Sequence, residues 1–267
     1  MLSHARPLAA LAALSVLTLA ACSSATAPSP AAVTAPSPSS VQAPGASPSA
    51  AAVPSATPSG RLVACEGGTT GCAGNLTAGV NSSSNFTIPF QVTVPDGWEN
   101  IRDITRTYEL STPGGQAGPI EVLALNAIAD QASCGPVQLA GAGSTVKDFV
   151  DFVSRHPGLD ATAPAPVTID GYQGQSIDFG VRSDWTAMCP DIDLTSPVVL
   201  MLTSTNTDPP GRRLAYAQDV RVRWIVLDVA GQTVIVEVIG PPTRSLFDSA
   251  MAEDQPVIDS LDFSPGG

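Results

Sequence analysis

The stretch at residues 182–196, RSDWTAMCPDIDLTS, concentrates side chains that can bind calcium. Asp184, Asp191 and Asp193 fall within ten consecutive positions of this stretch. Calcium takes about six to eight oxygen atoms from carboxylates and backbone carbonyls. The three aspartates therefore form a candidate calcium site. They do not have the spacing of an EF-hand, and an ordinary solvated loop is the alternative interpretation.

Two further groups of side chains suit ligand binding. Trp185, in the same polar stretch, could offer an aromatic platform to a carbohydrate or another small molecule. Arg221 and Arg223 alternate in VRVRW, so on a strand they share one face and leave Val222 and Trp224 on the other. Guanidinium groups bind carboxylates and phosphates. This face is therefore either an anion site or the solvated side of a sheet.

A single histidine, His156, follows the first 20 residues, which restricts the catalytic sites that the chain can build. A Ser-His-Asp triad would need His156, but the G-x-S-x-G pattern of a nucleophile turn is missing. His156 stands at the predicted end of a helix, where the helix dipole favours a protonated imidazole. We assign no catalytic residue. An extracellular hydrolase or calcium-dependent enzyme that uses residues 182–196 is the alternative.

Four cysteines follow residue 60, namely Cys65, Cys72, Cys134 and Cys189. An even number of cysteines in an exported chain predicts two disulfides, here in one of three connectivities. We favour Cys65–Cys72, which closes the segment CEGGTTGC, together with Cys134–Cys189. A four-thiolate zinc site is the alternative, but zinc-binding cysteines usually lie two to four residues apart, closer than any pair here.

The start of the chain has the layout of an export signal. Arg6 precedes a run of 13 residues, LAALAALSVLTLA at 8–20, which is almost entirely apolar but too short to cross a bilayer. The residues Leu19 to Cys22 then resemble the lipobox of bacterial lipoproteins. The resemblance implies that residues 1–21 are a signal peptide and that Cys22 carries a diacylglycerol, an anchor that holds a protein stably on a membrane. The alternative is an ordinary secreted protein.

Residues 23–60 have the composition of a disordered linker. They contain 11 Ala, 10 Ser and 8 Pro and no charged residue, so they cannot bury enough apolar surface to fold. The whole chain carries a formal net charge of −12 with one lysine, Lys147. Because nucleic-acid binding requires clustered basic residues, we expect no nucleic-acid partner.

Residues 61–267 are predicted to form one extracytoplasmic domain of the α+β class. Alternating apolar residues, as in FTIPFQVTV at 86–94, predict strands, and the Asp170–Gly171 pair predicts a hairpin turn. Thr145 and Asp148 form a capping box that starts a helix ending at His156. A second helix is expected from residue 245, kinked or split at Pro256. We predict an antiparallel sheet of about six to eight strands with the two helices packed on one face.

Three stretches resemble a family of exported domains that is common in actinobacteria. They are CEGGTTGCAGNLTAG followed by IPFQVTVPDGWEN, then GSTVKDFVDFVSRHPGLDATAPAPVTIDGYQGQSIDF, and RWIVLDVAGQTVIVEV. In that family the domain usually follows a lipobox or a membrane helix. The layout also resembles the PsbP-like fold, a sheet flanked by helices. These resemblances imply a fold and an exported location, and they carry over no catalytic residue.

The sequence therefore predicts a lipoprotein of the cell envelope, held by its lipid anchor on the extracytoplasmic face of the cell membrane. Its domain would bind a small ligand or an envelope protein without catalysis. No cofactor is expected other than the candidate calcium ion. A structural or accessory subunit of an envelope complex is the further alternative, which the PsbP-like resemblance would favour.

Overall fold

The computed structural model describes residues 74–112, 118–124, 127–190, 192, 196–203 and 213–264. Several predictions concern residues outside these ranges: the signal peptide, Cys22, the linker at 23–60, Cys65, Cys72, Asp191 and Asp193. Those predictions remain untested by the structure.

The described residues form fourteen strands and two helices. In chain order these are β1 (Gly74–Asn75), β2 (Gly79–Ser82), β3 (Gln91–Val94), β4 (Glu99–Ile104), β5 (Thr107–Ser111), β6 (Ile120–Leu123), β7 (Ala127–Ile128), α1 (Val146–Arg155), β8 (Leu159–Ala161), β9 (Ala165–Ile169), β10 (Tyr172–Val181), β11 (Val198–Thr203), β12 (Arg213–Ala217), β13 (Arg221–Val229), β14 (Gln232–Gly240) and α2 (Arg244–Asp259).

Nine of these strands build one antiparallel sheet in the order β1-β4-β5-β6-β14-β13-β10-β8, with β9 also pairing with β10. A second sheet, in the order β12-β11-β7, has three strands, and β2 and β3 form a separate pair. The long central strands come from two hairpins, β9–β10 and β13–β14. Asp170 and Gly171 have φ angles of 48° and 78° at the first turn, the left-handed conformation that a tight hairpin requires.

Helix α1 begins and ends where the sequence predicts. The Thr145 side chain accepts a hydrogen bond from the Asp148 backbone N–H, and the Asp148 carboxylate accepts one from the Thr145 N–H. This reciprocal cap satisfies two of the free N–H groups at the helix start. His156 is the C-terminal cap residue, and Pro157 follows it. The buried residues Phe149, Val150 and Val153 orient the helix on the sheet.

Helix α2 runs from Arg244 to Asp259 with Pro256 inside it, so the predicted split does not occur. A proline in a helix removes one intrahelical hydrogen bond. Val257 and Ile258, the two residues that follow Pro256, are buried at 2% and 0% exposure. Their packing keeps the last turn of α2 on the sheet and offsets the lost hydrogen bond.

The α+β class, the two helices and the large antiparallel sheet are confirmed, but the prediction that both helices pack on one face is wrong. On β13, Ile225 and Leu227 share an apolar cluster with Phe247 of α2. Trp224 and Val226 share a different cluster with Phe149 of α1 and with residues of β11. Neighbouring residues of a strand point to opposite faces, so the helices lie on opposite sides of the sheet.

The reason for this arrangement is the composition of the central strands. The run Trp224 to Leu227 is apolar at every position, and all four residues are at most 2% exposed. A strand that is apolar on both faces must be covered on both faces. Helix α2 covers one face, while α1 and the three-stranded sheet cover the other. None of the helices in the described ranges has both the length and the apolar character that crossing a membrane requires.

Candidate ligand-binding cleft

A cleft of 360 Å³ lies between α1 and the loop at residues 139–143. Its floor is apolar, and its rim carries charged and polar side chains from α1. The apolar residues that line it are Ile128, Leu139, Ala142, Phe152 and Pro157. Small-molecule sites usually combine such a floor with a few polar groups.

The polar rim follows one stripe of α1. Asp148, Asp151, Arg155 and His156 all line the cleft. The first three are three and four residues apart, which aligns them along the helix, and His156 is the cap residue that follows Arg155. Asp151 accepts hydrogen bonds from Lys147 and, at 3.0 Å, from Arg155 Nη2. The Lys147 hydrogen bond lowers the pKa of the Asp151 carboxyl. The rim aspartates are therefore ionised at neutral pH, and each already has protein partners.

His156 stands at the end of this stripe as a neutral imidazole. Its Nδ1 accepts a hydrogen bond from the Gly158 N–H at 3.1 Å, so the proton of the neutral ring is assigned to Nε2. Burial lowers the pKa of His156. Burial therefore opposes the protonated form that the position at the helix end would favour.

Two aromatic rings hold the imidazole in place. The Phe152 ring lies 5.2 Å and the Trp185 ring 5.4 Å from the His156 ring, centroid to centroid. Trp185 Nε1 donates to the Val198 carbonyl at 2.8 Å. A side chain at position 158 would begin 2.6 Å from Trp185 Cδ2, so Gly158 is required there. Trp185, a candidate platform for a carbohydrate or small molecule, thus contacts His156 and anchors its own loop, and its binding of a ligand stays a prediction.

The Cys134–Cys189 disulfide joins the two loops next to this end of α1. The bond is present, with its cysteines 55 positions apart, which confirms the prediction. It connects the segment between β7 and α1, which forms one wall of the cleft, to the segment between β10 and β11, which carries Trp185. The disulfide therefore restrains one wall of the cleft relative to the segment that carries Trp185, whose ring contacts His156.

Asp184, one of the three predicted calcium ligands, forms an ion pair. Arg182 Nε and Nη2 each donate to one Asp184 carboxylate oxygen, both at 2.9 Å. These hydrogen bonds lower the pKa of Asp184. Within the described ranges, no three His, Cys, Asp or Glu side chains cluster as metal ligands would. Because Asp191 and Asp193 lie outside those ranges, the calcium site remains a prediction.

Arg221 and Arg223 lie on the α2 side of the sheet, opposite the cleft. Arg223 Nε and Nη2 donate to Asp178 at 2.6 and 2.9 Å, and its guanidinium lies 6.0 Å from the centre of the Phe247 ring. Arg221 Nη2 has a carboxylate oxygen of Asp160 at 3.8 Å. The prediction that both arginines bind a ligand is untested, but their two environments clearly differ.

The structure contains a buried polar network around Glu237 that the sequence did not predict. Glu237 has 0% exposure and accepts hydrogen bonds from Tyr216 Oη and, at 2.8 Å, from Trp224 Nε1. The sequence signal was a single charged residue inside the apolar run VIVEVI.

The cleft was not predicted from the sequence either. Its signal was the polar stripe along α1, which looks like an ordinary solvated helix face without the loop that covers it.

No protein-family model and no curated protein matches the chain. Among solved structures, the chain is similar to the solution structure of cyanobacterial PsbP (CyanoP) from Synechocystis sp. PCC 6803, with a TM-score of 0.36 and 10% sequence identity. The match covers 69% of this chain and 92% of that one.

Proposed function

We propose that the chain is a lipoprotein of the cell envelope whose domain binds a small ligand in the cleft beside His156. In this proposal Cys22 carries the lipid on the extracytoplasmic face of the membrane, and residues 23–60 connect the anchor to the domain. The apolar leader and the Leu19 to Cys22 segment support the anchor. The lining of the cleft supports the binding role.

The observation that carries the binding role is the combination of an apolar floor with a neutral histidine at the rim. Phe152 and Leu139 offer apolar contact, while Nε2–H is the donor that His156 has to offer, because Nδ1 is occupied by Gly158. Such a lining suits a ligand with an apolar body and a hydrogen-bond acceptor, since a buried acceptor needs a donor.

The hydrogen bonds of the rim favour binding over catalysis. Asp148 caps α1, and Asp151 accepts hydrogen bonds from Lys147 and Arg155. A general base must accept a proton from its substrate, and a carboxylate held by two cations is a poor base because its pKa is lowered. The proposal therefore assigns these residues to the architecture of the cleft rather than to proton transfer.

The test is an amide NMR titration of the purified full chain carrying Cys22→Ala, which prevents acylation. Benzyl alcohol and acetanilide serve as probes, because each has an apolar ring and a hydrogen-bond acceptor. We expect saturable shifts at Gly141, Gly143 and His156. Phe152→Ala should weaken binding, whereas Val137→Ala, on an exposed surface residue outside the cleft lining, should not. Shifts that do not saturate, or that are equal in Phe152→Ala, would contradict the proposal.

A further inference from the structure

Arg221, the first residue of β13, borders an open notch in the surface of the sheet. It stands opposite Gly180 of β10 on one side and Gly240 of β14 on the other. Because both register partners are glycines, neither adjacent strand places a side chain directly beside Arg221. A Cβ atom at position 180 would meet only the Val220 carbonyl oxygen, at 3.5 Å. At position 240 it would meet Phe247 Cδ2 at 2.8 Å. The space is therefore open above Gly180 and filled above Gly240.

Within the described part of the chain, the guanidinium of Arg221 has no hydrogen-bond acceptor. Only 16% of the side chain is exposed, and the Asp160 carboxylate oxygen at 3.8 Å from Nη2 is beyond hydrogen-bonding distance. Nε is buried and has no hydrogen-bond partner among the described residues. Arg223, two residues along on the same face, instead donates twice to Asp178. A largely buried cation with unused donors is costly unless something pairs with it.

Other arginines gather around this end of the sheet. Arg244 Nη2 lies 3.3 Å from Asp178, beside Arg223. Arg182 comes directly after β10, two residues beyond Gly180, and its backbone N–H donates to the carbonyl of Gly158 at 2.9 Å, two residues before Asp160. In a chain with a formal net charge of −12, this end of the sheet balances four arginines against four aspartates, namely Asp160, Asp178, Asp184 and Asp248, so an anion meets less repulsion here than the charge of the whole chain would imply.

We propose that the notch between Arg221 and Asp160 binds a small oxyanion, namely a phosphate, sulfate or carboxylate group. The anion would accept hydrogen bonds from the terminal N–H groups of Arg221, whose planar fork matches the geometry of such oxygens. The Asp160 side chain is 75% exposed, so it can rotate away when the anion enters. The notch and the His156 cleft lie on opposite faces of the sheet, so the two sites are independent.

The test is a calorimetric titration of the purified full chain carrying Cys22→Ala with inorganic phosphate. The buffer is Tris chloride, with sodium chloride added to hold the ionic strength constant. We expect saturable binding that Arg221→Gln weakens by about tenfold or more, since hydrogen bonds between charged groups are lost. The matched control is Arg102→Gln, which removes a partly exposed arginine paired with Glu109 elsewhere in the sheet and should leave phosphate binding unchanged.

Two further variants keep Arg221 intact and so test the notch even if Arg221→Gln does not fold. Gly180→Val fills the space above β10 and should weaken phosphate binding. Asp160→Asn removes the competing carboxylate and should strengthen phosphate binding.

A titration with glycerol 3-phosphate under the same conditions distinguishes a phosphate group on a larger molecule from the free phosphate ion. Binding at least as tight as that of inorganic phosphate assigns the notch to a phosphate on a larger molecule, and weaker binding assigns it to the free ion; either result supports the site. Phosphate heats no larger than those of chloride, or binding that neither Gly180→Val nor Asp160→Asn alters, would overturn it.

Discussion

Trp224 Nε1 donates a hydrogen bond to Glu237 Oε2 at 2.8 Å, and both side chains have 0% exposure. The two residues face each other on β13 and β14, at the centre of the main sheet. Tyr216 of β12 donates to the same carboxylate oxygen. One buried acceptor therefore links the three-stranded sheet to the main sheet beneath it. A buried carboxylate is tolerated only when donors of this kind surround it.

Tyr216→Phe should lower the free energy of unfolding by about 1–3 kcal/mol, because it removes a hydrogen-bond donor from a buried acceptor. Urea unfolding at pH 7 measures the change. The matched control is Tyr172→Phe, since the Tyr172 hydroxyl has an exposed contact with Ser264 Oγ at 3.5 Å rather than a buried one. Equal effects of the two substitutions would contradict the role of the buried network.

Asp178→Asn should destabilise the domain by about 3 kcal/mol, because it leaves a partly buried Arg223 without its anion. The comparison is Asp184→Asn, which breaks the exposed ion pair with Arg182 and should cost less than about 1 kcal/mol. Both pairs have two short hydrogen bonds; the Asp178 pair differs in its burial and in the ion pair that Asp178 also forms with Arg244 at 3.3 Å. A similar loss in both variants, measured by urea unfolding, would show that burial does not decide the contribution of these pairs.

Asp254 should make the domain less stable as the pH rises through about 6. It is completely buried, and neither carboxyl oxygen has a hydrogen-bond partner among the residues that the structure describes. Burial, together with the nearby charge of Glu253, raises its pKa from 3.8 to about 6. The folded state therefore binds the proton more tightly than the unfolded state, and the stability present below pH 4 is lost between pH 4 and pH 6.

The measurement is the free energy of unfolding of the native chain and of Asp254→Asn across pH 4 to 7.5. Asn cannot ionise, so the variant should gain stability relative to the native chain as the pH rises above about 4 and reach a constant advantage above about 6.5. Other titrating groups cancel in the difference between the two chains. A difference that is constant across the whole range would mean that Asp254 does not titrate as described.

Replacing both Cys134 and Cys189 by Ser should lower the free energy of unfolding by about 2–4 kcal/mol, because the unfolded chain loses a long covalent loop. It should also loosen the wall of the cleft, so amide hydrogen exchange should increase at residues 139–143 and 182–190. Faster exchange confined to the cysteines themselves would contradict the proposed restraint.

The sequence predicted elements whose signals are local. The capping box of Thr145 and Asp148 located the start of α1, and Pro157 located its end, because helix ends are specified by neighbouring residues. The turn at Asp170 and Gly171 was equally clear, since few residues adopt its backbone angles without strain. The pairing of Cys134 with Cys189 was also predicted, as the favoured choice among three connectivities.

Features that depend on contacts between distant segments were not predictable from the sequence. Trp224 to Leu227 are apolar at every position, but this pattern does not say which element covers each face of β13, and the prediction placed both helices on one face. The pKa of His156 is lowered by burial, Phe152 and Trp185 lie against its ring, and the position of Trp185 depends on a loop that begins 26 residues after His156. The notch at Arg221 needs the register that sets it opposite Gly180 and Gly240.

The lipid anchor is the central claim of the proposed function, and metabolic labelling with an alkyne analogue of palmitate tests it most directly. The native chain and Cys22→Ala are expressed in a bacterial host and compared in membrane and soluble fractions. We expect the native chain to be labelled and membrane-bound, and Cys22→Ala to be unlabelled and absent from lipid-anchored material. An unlabelled native chain, or a Cys22→Ala chain that is labelled and held on the membrane to the same extent, would contradict the account.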